Sequence, residues 1–187
     1  MPAPRRMHYT YAEYLVLEDF SPIRHEYFDG EIYAIAGDPP EHSFLSATVL
    51  SNIDRQLPRD CHAFTCTLRV RTATGLATYP DSTFVRGATE RAAEDHDAVT
   101  NPLIIVEITS NSTEDYDRGD KLRHYQSIPS LREILIVSHR EPRITLHRRD
   151  GNVWISSEAR AGDEVSLPSI GGVVRVDDVY RDGLEDV

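Results

Sequence analysis

Two short apolar runs constrain this chain more than anything else in it. LIIVEIT, from Leu103 to Thr109, and LREILIVS, from Leu131 to Ser138, are dominated by aliphatic and β-branched residues. Runs of that length and content read as buried strands. Between them lies STEDYDRGDKLRHYQ, from Ser112 to Gln126. It is polar, offers Ser112 or Thr113 as an N-cap, carries acids in its first turn and meets Pro129 soon after its end. That pattern predicts a helix. Strand, helix, strand in that order places the chain among α/β proteins, with helices packed on a mixed central sheet.

The remaining segments add decorations to that core. TYAE, from Thr10 to Glu13, is a capping box, so a short helix should run to about Asp19. RHEYFDGEIYAIAG reads as a hairpin, because Asp29-Gly30 is a two-residue turn signal between aromatic and β-branched residues. PPEHSFLSATVLSNIDRQL is the clearest helix, with Leu45, Val49, Ile53 and Leu57 recurring on one face. In CHAFTCTLRVRT the residues Phe64, Cys66, Leu68 and Val70 alternate, which predicts one strand. Thr74-Gly75 then turns the chain into LATYPDSTFVR, read as another. The acidic stretch from about Gly87 to Asn101 reads as a loop. RITLHRRDGNVWIS forms a second hairpin around Asp150-Gly151, and the tail LPSIGGVVRVDDVY is expected to cover one sheet edge.

A chain of 187 residues suits a single domain over residues 1–187, with a core of about 10–181. No apolar run approaches the roughly 20 residues that a membrane span needs. The N-terminus, MPAPRRMHYTY, has no apolar core of a signal peptide, so a cytoplasmic location is expected. Cys61 and Cys66 would face opposite sides of one strand, which disfavours a disulfide. The formal charge is −11. That works against wholesale nucleic-acid binding and leaves only a local basic surface to serve it. Arginines do gather at Arg69 and Arg71, at Arg118 and Arg123, and over Arg140 to Arg149.

Three residues sit where their chemistry is costly. Glu107 lies inside LIIVEIT, on the face expected for Leu103 and Ile105, and a lone carboxylate in an apolar strand must be compensated. Its place near the strand end also allows water to reach it. Asp81 follows Pro80 in TYPDSTF, where a proline can aim it into a site or merely form a turn. Lys121 is the only lysine among 20 basic side chains, the other 19 being arginine. It reads either as an i,i+4 ion pair with Asp117 or as a position that requires an amine, since Arg would make the same pair. Taken together, two carboxylates on adjacent strands can hold a hard cation such as Mg²⁺. An amine beside them suits metal-assisted phosphodiester hydrolysis.

YPD, then IIVEIT, then a helix carrying a lysine, resembles the PD-(D/E)xK nuclease superfamily. More narrowly the chain resembles the Uma family of restriction-endonuclease-like proteins, through YFDGEIYAIAG with a following His42, LRVRT, YPDSTFV, the segment from Asn101 to Val137, and LPSIGGVV. The resemblance spans about residues 10–181. It implies a restriction-endonuclease-like α/β core with additional hairpins, and a metal-dependent DNA endonuclease. It assigns Asp81 and Glu107 to the two acids of the signature. The usual lysine place, two residues after the second acid, is Thr109 here, so the amine is displaced to Lys121. Glu31 and His42 lie in family-like segments and join the candidate list, against their readings as a solvated acid and as a histidine bonded to a backbone carbonyl. On this basis Asp81, Glu107 and the Ile108 carbonyl would ligate Mg²⁺ or Mn²⁺, and Arg118 and Arg123 would meet phosphates. The expected partner is nucleic acid, DNA first, with a homodimer suited to a palindromic duplex. The alternative of another class is a nuclease-fold module that binds nucleic acid or protein without cutting.

Overall fold

The first helix, α1 (Tyr11–Phe20), begins at Thr10, where Thr10 and Glu13 form the reciprocal capping box. The computed structural model describes residues 7–35, 37, 39–110 and 114–181. β1 (His25–Phe28) and β2 (Glu31–Ala34) form the expected hairpin. Its turn residues Asp29 and Gly30 have φ of 45° and 82°, the backbone that matches a two-residue turn to strand twist. α2 (Pro40–Asp54) starts at a proline, which suits a first helical turn, and buries Leu45, Val49 and Ile53.

The next stretch departs from expectation. The alternation in CHAFTCTLRVRT spans two strands, β3 (Cys61–Thr65) and β4 (Arg69–Arg71). They are split by a turn in which Leu68 N donates to Thr65 O, and they enter different sheets. LATYPDSTFVR likewise divides into β5 (Ala77–Thr78) and β6 (Ser82–Arg86), with Pro80 and Asp81 at the crossing. The stretch read as an acidic loop contains β7 (Arg91–Ala92) and β8 (Asp95–Val99). Here polar composition hid a hairpin whose Asp95 is buried against Arg69.

β9 (Ile104–Ile108) is buried throughout, as predicted. Leu103, just ahead of it, packs with Ile104 and Val106 and not on the Ile105 and Glu107 face. The Lys121 segment is two helices, α3 (Glu114–Arg118) and α4 (Asp120–Gln126), broken at Gly119 with φ −108° and ψ −101°. Its expected N-caps, Ser112 and Thr113, lie outside the described residues. β10 (Glu133–Val137) follows, then the long hairpin of β11 (Arg143–Asp150) and β12 (Val153–Arg160). β13 (Glu164–Leu167), β14 (Gly172–Arg175) and the short α5 (Val176–Val179) end the described chain.

Two six-stranded sheets result, ordered β2-β1-β5-β4-β8-β7 and β12-β11-β10-β9-β6-β3. Both are mixed: β9 with β10, and β4 with β8, run parallel among antiparallel neighbours. One face of the larger sheet buries Ile104, Val106 and Leu135 against α2 and against Val165, Leu167, Val174 and Val179 of the tail. The tail therefore covers a face, because its apolar residues alternate on a hairpin of their own. The opposite face joins the sheets. Ile105, Ile134 and Ile136 of the larger one and Val70 and Val99 of the smaller one share a cluster with Leu122 and Tyr125 of α4. α4 thus fills the seam between the sheets, and this places Lys121 there. Cys61 is buried and Cys66 exposed.

Candidate active site

Strand alternation puts Glu107 on the seam side of β9, the side of Ile105, and it is 4% exposed. α4 brings Lys121 to it. The ammonium Nζ lies 2.9 Å from Glu107 Oε1, 3.1 Å from Glu26 Oε1 and 3.5 Å from Asp117 Oδ1. An ammonium has three N–H donors, and each meets one carboxylate. Tyr125, one turn further along α4, donates its hydroxyl to Glu107 Oε1. Burial opposes the charge on Lys121, but Glu107, Glu26 and Asp117 outweigh it and hold the amine protonated, well above its ordinary range. Burial pushes the Glu107 carboxyl up to about 8, and Asp117 and Asp81 push the same way against Lys121. Burial and Glu107 together keep Tyr125 a neutral hydroxyl.

Asp81 approaches from the neighbouring strand. The β6–β9 ladder pairs Ser82 with Val106, so Asp81 continues it opposite Glu107. Asp81 Oδ2 accepts a 2.7 Å hydrogen bond from Ile108 N. His42, buried near the start of α2, has Nε2 at 3.0 Å from Ile108 O and 3.6 Å from Asp81 Oδ2. A carbonyl only accepts, so Nε2 carries the proton. His42 is thus a carbonyl-bonded histidine, and the same bond sets it beside Asp81. The carbonyl it bonds is the one expected to serve a cation.

Other candidates are placed differently. Glu31 is half-buried on β2, where Tyr33 donates to it. Glu26, across the hairpin, is the residue that reaches Lys121. The sequence reading missed Glu26, which lies between His25 and Tyr27 and breaks no apolar run of the kind that marked Glu107. Arg118 pairs with Glu114 at 3.3 Å and faces β11 through Thr145. Arg123 is exposed on the outer side of α4, paired with Asp120 at 2.7 Å.

The donor set suits a hard cation. Asp81, Glu107 and the Ile108 carbonyl offer only oxygen, the ligand type that Mg²⁺ prefers. Three acidic side chains, Glu26, Glu107 and Asp117, also face one ammonium in the seam. Among the described residues no three His, Cys, Asp or Glu side chains converge at metal-holding spacing, so water would complete any shell.

Comparison with known proteins gives the chain its relatives. Residues 11–176 match the family model described as "Uma2: Putative restriction endonuclease". An uncharacterized protein of Synechocystis sp., slr1290, is 36% identical over 172 residues, covering 90% of each chain. A second, sll1609, is 30% identical over 156 residues, covering 80% of this chain and 86% of that one. A crystal structure from Anabaena variabilis, of "a putative nuclease belonging to DUF820", superposes with a TM-score of 0.74 at 17% identity. It covers 91% of this chain and 96% of that one. That likeness establishes the fold as restriction-endonuclease-like, a mixed α/β core with added hairpins, as the sequence led us to expect. With its match to the family model over residues 11–176, the chain belongs to the Uma2 family of restriction-endonuclease-like proteins.

Proposed function

We propose that the chain is a metal-dependent phosphodiester hydrolase, acting as a DNA endonuclease within one nuclease-like domain. The observation that carries this reading is the buried contact between Glu107 and Lys121, 2.9 Å apart, at the end of a strand whose Ile108 N–H is held by Asp81. Glu107 and Asp81 would hold Mg²⁺ or Mn²⁺ with the Ile108 carbonyl. When bound, the cation supplies Lewis acidity for activating water and for taking up charge on the phosphoryl oxygens.

The chain's own groups divide the remaining work. Lys121 is held protonated, so it acts as a fixed positive charge and not as a base, favouring the extra negative charge of the transition state. Tyr125 fixes the Glu107 carboxylate through one oxygen. His42 orients the Ile108 carbonyl and borders Asp81. Burial of α4 between the sheets excludes bulk water, which strengthens each of these interactions. Arg118 sits near the same strand ends, while Arg123 could meet a phosphate only from the outer surface of α4. A symmetric dimer would let two such sites address the two strands of a duplex.

The test is cleavage of supercoiled plasmid in Mg²⁺ or Mn²⁺, against chelator. Asp81→Asn, Glu107→Gln and Lys121→Ala should each lower the rate by at least about a hundredfold. Variants that cut as well as wild type would falsify the reading. One observation favours the non-catalytic alternative: three carboxylates already satisfy Lys121. That alternative predicts nucleic-acid or protein binding that survives both chelation and Glu107→Gln.

A further inference from the structure

Beside the catalytic cluster, four arginines crowd three glutamates. Arg118 Nε lies 3.3 Å from Glu114 Oε1, Arg140 Nε 3.3 Å from Glu114 Oε2, and Arg143 Nη2 3.9 Å from Glu114 Oε1. Arg143 also reaches Glu141 at 3.1 Å and Glu158 at 3.5 Å. Arg160 pairs with the same two acids at 3.3 Å and 2.6 Å. Four positive charges against three negative leave one net positive charge here, on a chain of formal charge −11. Glu114 is the only carboxylate that Arg118 and Arg140 engage among the described residues, so one acid serves three guanidiniums. Arg118 retains an unmet donor, since its Nη2 is buried without a hydrogen-bond partner among the described residues.

The ladder fixes where this cluster stands relative to the site. Glu107 pairs with Ile136, Ile136 with Thr145, and Thr145 with Glu158. Directly paired residues share a sheet face, so Thr145, which Arg118 contacts, lies on the face of Glu107. It is two strands away, about 10 Å at ordinary strand spacing. That is about three nucleotides of rise along one strand. Arg140 follows His139, whose N–H bonds to Thr109 Oγ1 just past the end of β9. α3, which opens at Glu114, carries Asp117 to Lys121. The arginines and the ammonium therefore line one continuous face.

We propose that Arg118, Arg140 and Arg143 form a clamp for a backbone phosphate of the nucleic acid, and that Glu114 is a built-in competitor which this phosphate displaces. A carboxylate and the two non-bridging oxygens of a phosphodiester both match the guanidinium fork. Glu114 thus holds the arginines in a phosphate-ready arrangement and blocks it. The identity of the ligand rests on the hydrolase reading; the clamp geometry does not.

The test measures binding of the full chain to a fluorescein-labelled duplex of about 20 base pairs by anisotropy in EDTA, from about 50 to about 200 mM salt. Glu114→Gln should tighten binding several-fold. Arg140→Ala, which removes an exposed side chain, should weaken it and lower the slope of log K against log salt by about one. Arg175→Ala, on the β13–β14 hairpin, should do neither. Melting curves confirm that each variant is folded. Binding by Glu114→Gln no tighter than wild type, or an unchanged salt slope in Arg140→Ala, overturns the clamp. Cleavage of the same duplex in Mg²⁺ is scored separately. Predicted binding effects without cleavage sustain the clamp and sink the hydrolase reading; cleavage without those effects does the reverse.

Discussion

At Nζ of Lys121 three carboxylates meet one ammonium, and this explains why a chain with 19 arginines keeps one lysine. A compact head with three donors fits between Glu107, Glu26 and Asp117, where a planar fork would have to push one of them away. Removing the amine leaves buried carboxylates uncompensated. Lys121→Met should therefore destabilise the protein by about 3–5 kcal/mol in urea unfolding at neutral pH. Adding Glu107→Gln should recover part of that loss, because a buried amide needs no cation beside it. The same cluster sets a pH dependence. Glu107 is raised from an ordinary 4.5 to about 8 in the folded chain, so its stabilising protonation is complete below the lower value and is lost as pH rises through the upper one. Lys121, raised above its ordinary range, stays charged in both states over that interval and leaves the trend unchanged. Chelated protein should thus be less stable at pH 8.5 than at pH 6, as read by denaturant midpoints, and Glu107→Gln should flatten the difference. At this scale the sequence was legible where a polar group broke an apolar pattern, as at Asp81, Glu107 and Lys121. It was not legible for Glu26, whose role exists only once the hairpin has packed on α4.

The elements read most easily were those specified by their own residues. The Thr10 capping box, the Asp29-Gly30 turn, α2 and the two buried strands all carry their signal locally. The misread elements depend on partners distant in sequence. The alternation from Phe64 to Val70 runs through a turn, and nothing in it says that β3 and β4 will join different sheets. β8 looks too polar for a strand until Arg69 is placed against Asp95, 2.7 Å away. The β1–β2 hairpin links this scale to the site, because it carries Glu26 to Lys121. Its Gly30 has φ of 82°, and a Cβ there would lie 2.0 Å from the His8 ring. Gly30→Ala should cost at least about 1–3 kcal/mol, from left-handed backbone strain added to that clash. A lower melting temperature together with reduced cleavage is expected. A variant that melts earlier but cuts at the wild-type rate would show that the hairpin does not need to position Glu26.

Over the whole molecule, the two sheets enclose a seam whose charge is their shared property. α4 brings one ammonium into it, the small sheet brings Glu26, the large sheet brings Glu107, and α3 brings Asp117. Three acidic side chains share one amine in the folded seam, and unfolding disperses them into water. A divalent cation held at Asp81, Glu107 and the Ile108 carbonyl would bind the folded chain and have no such site in the unfolded one. Its stabilisation follows mass action, about 2.7 kcal/mol at a free concentration one hundred times its Kd. For a chain of this size each kcal/mol moves the midpoint by roughly 2–4 °C, so saturating Mg²⁺ or Mn²⁺ should raise it by about 5–10 °C. Glu107→Gln should abolish the rise, because an amide offers no charge to the cation. Glu114→Gln, in the arginine cluster two strands away, should leave the rise intact while lowering the metal-free midpoint. Equal shifts in wild type and Glu107→Gln would place the cation elsewhere on this acidic surface and remove Glu107 from the ligand set.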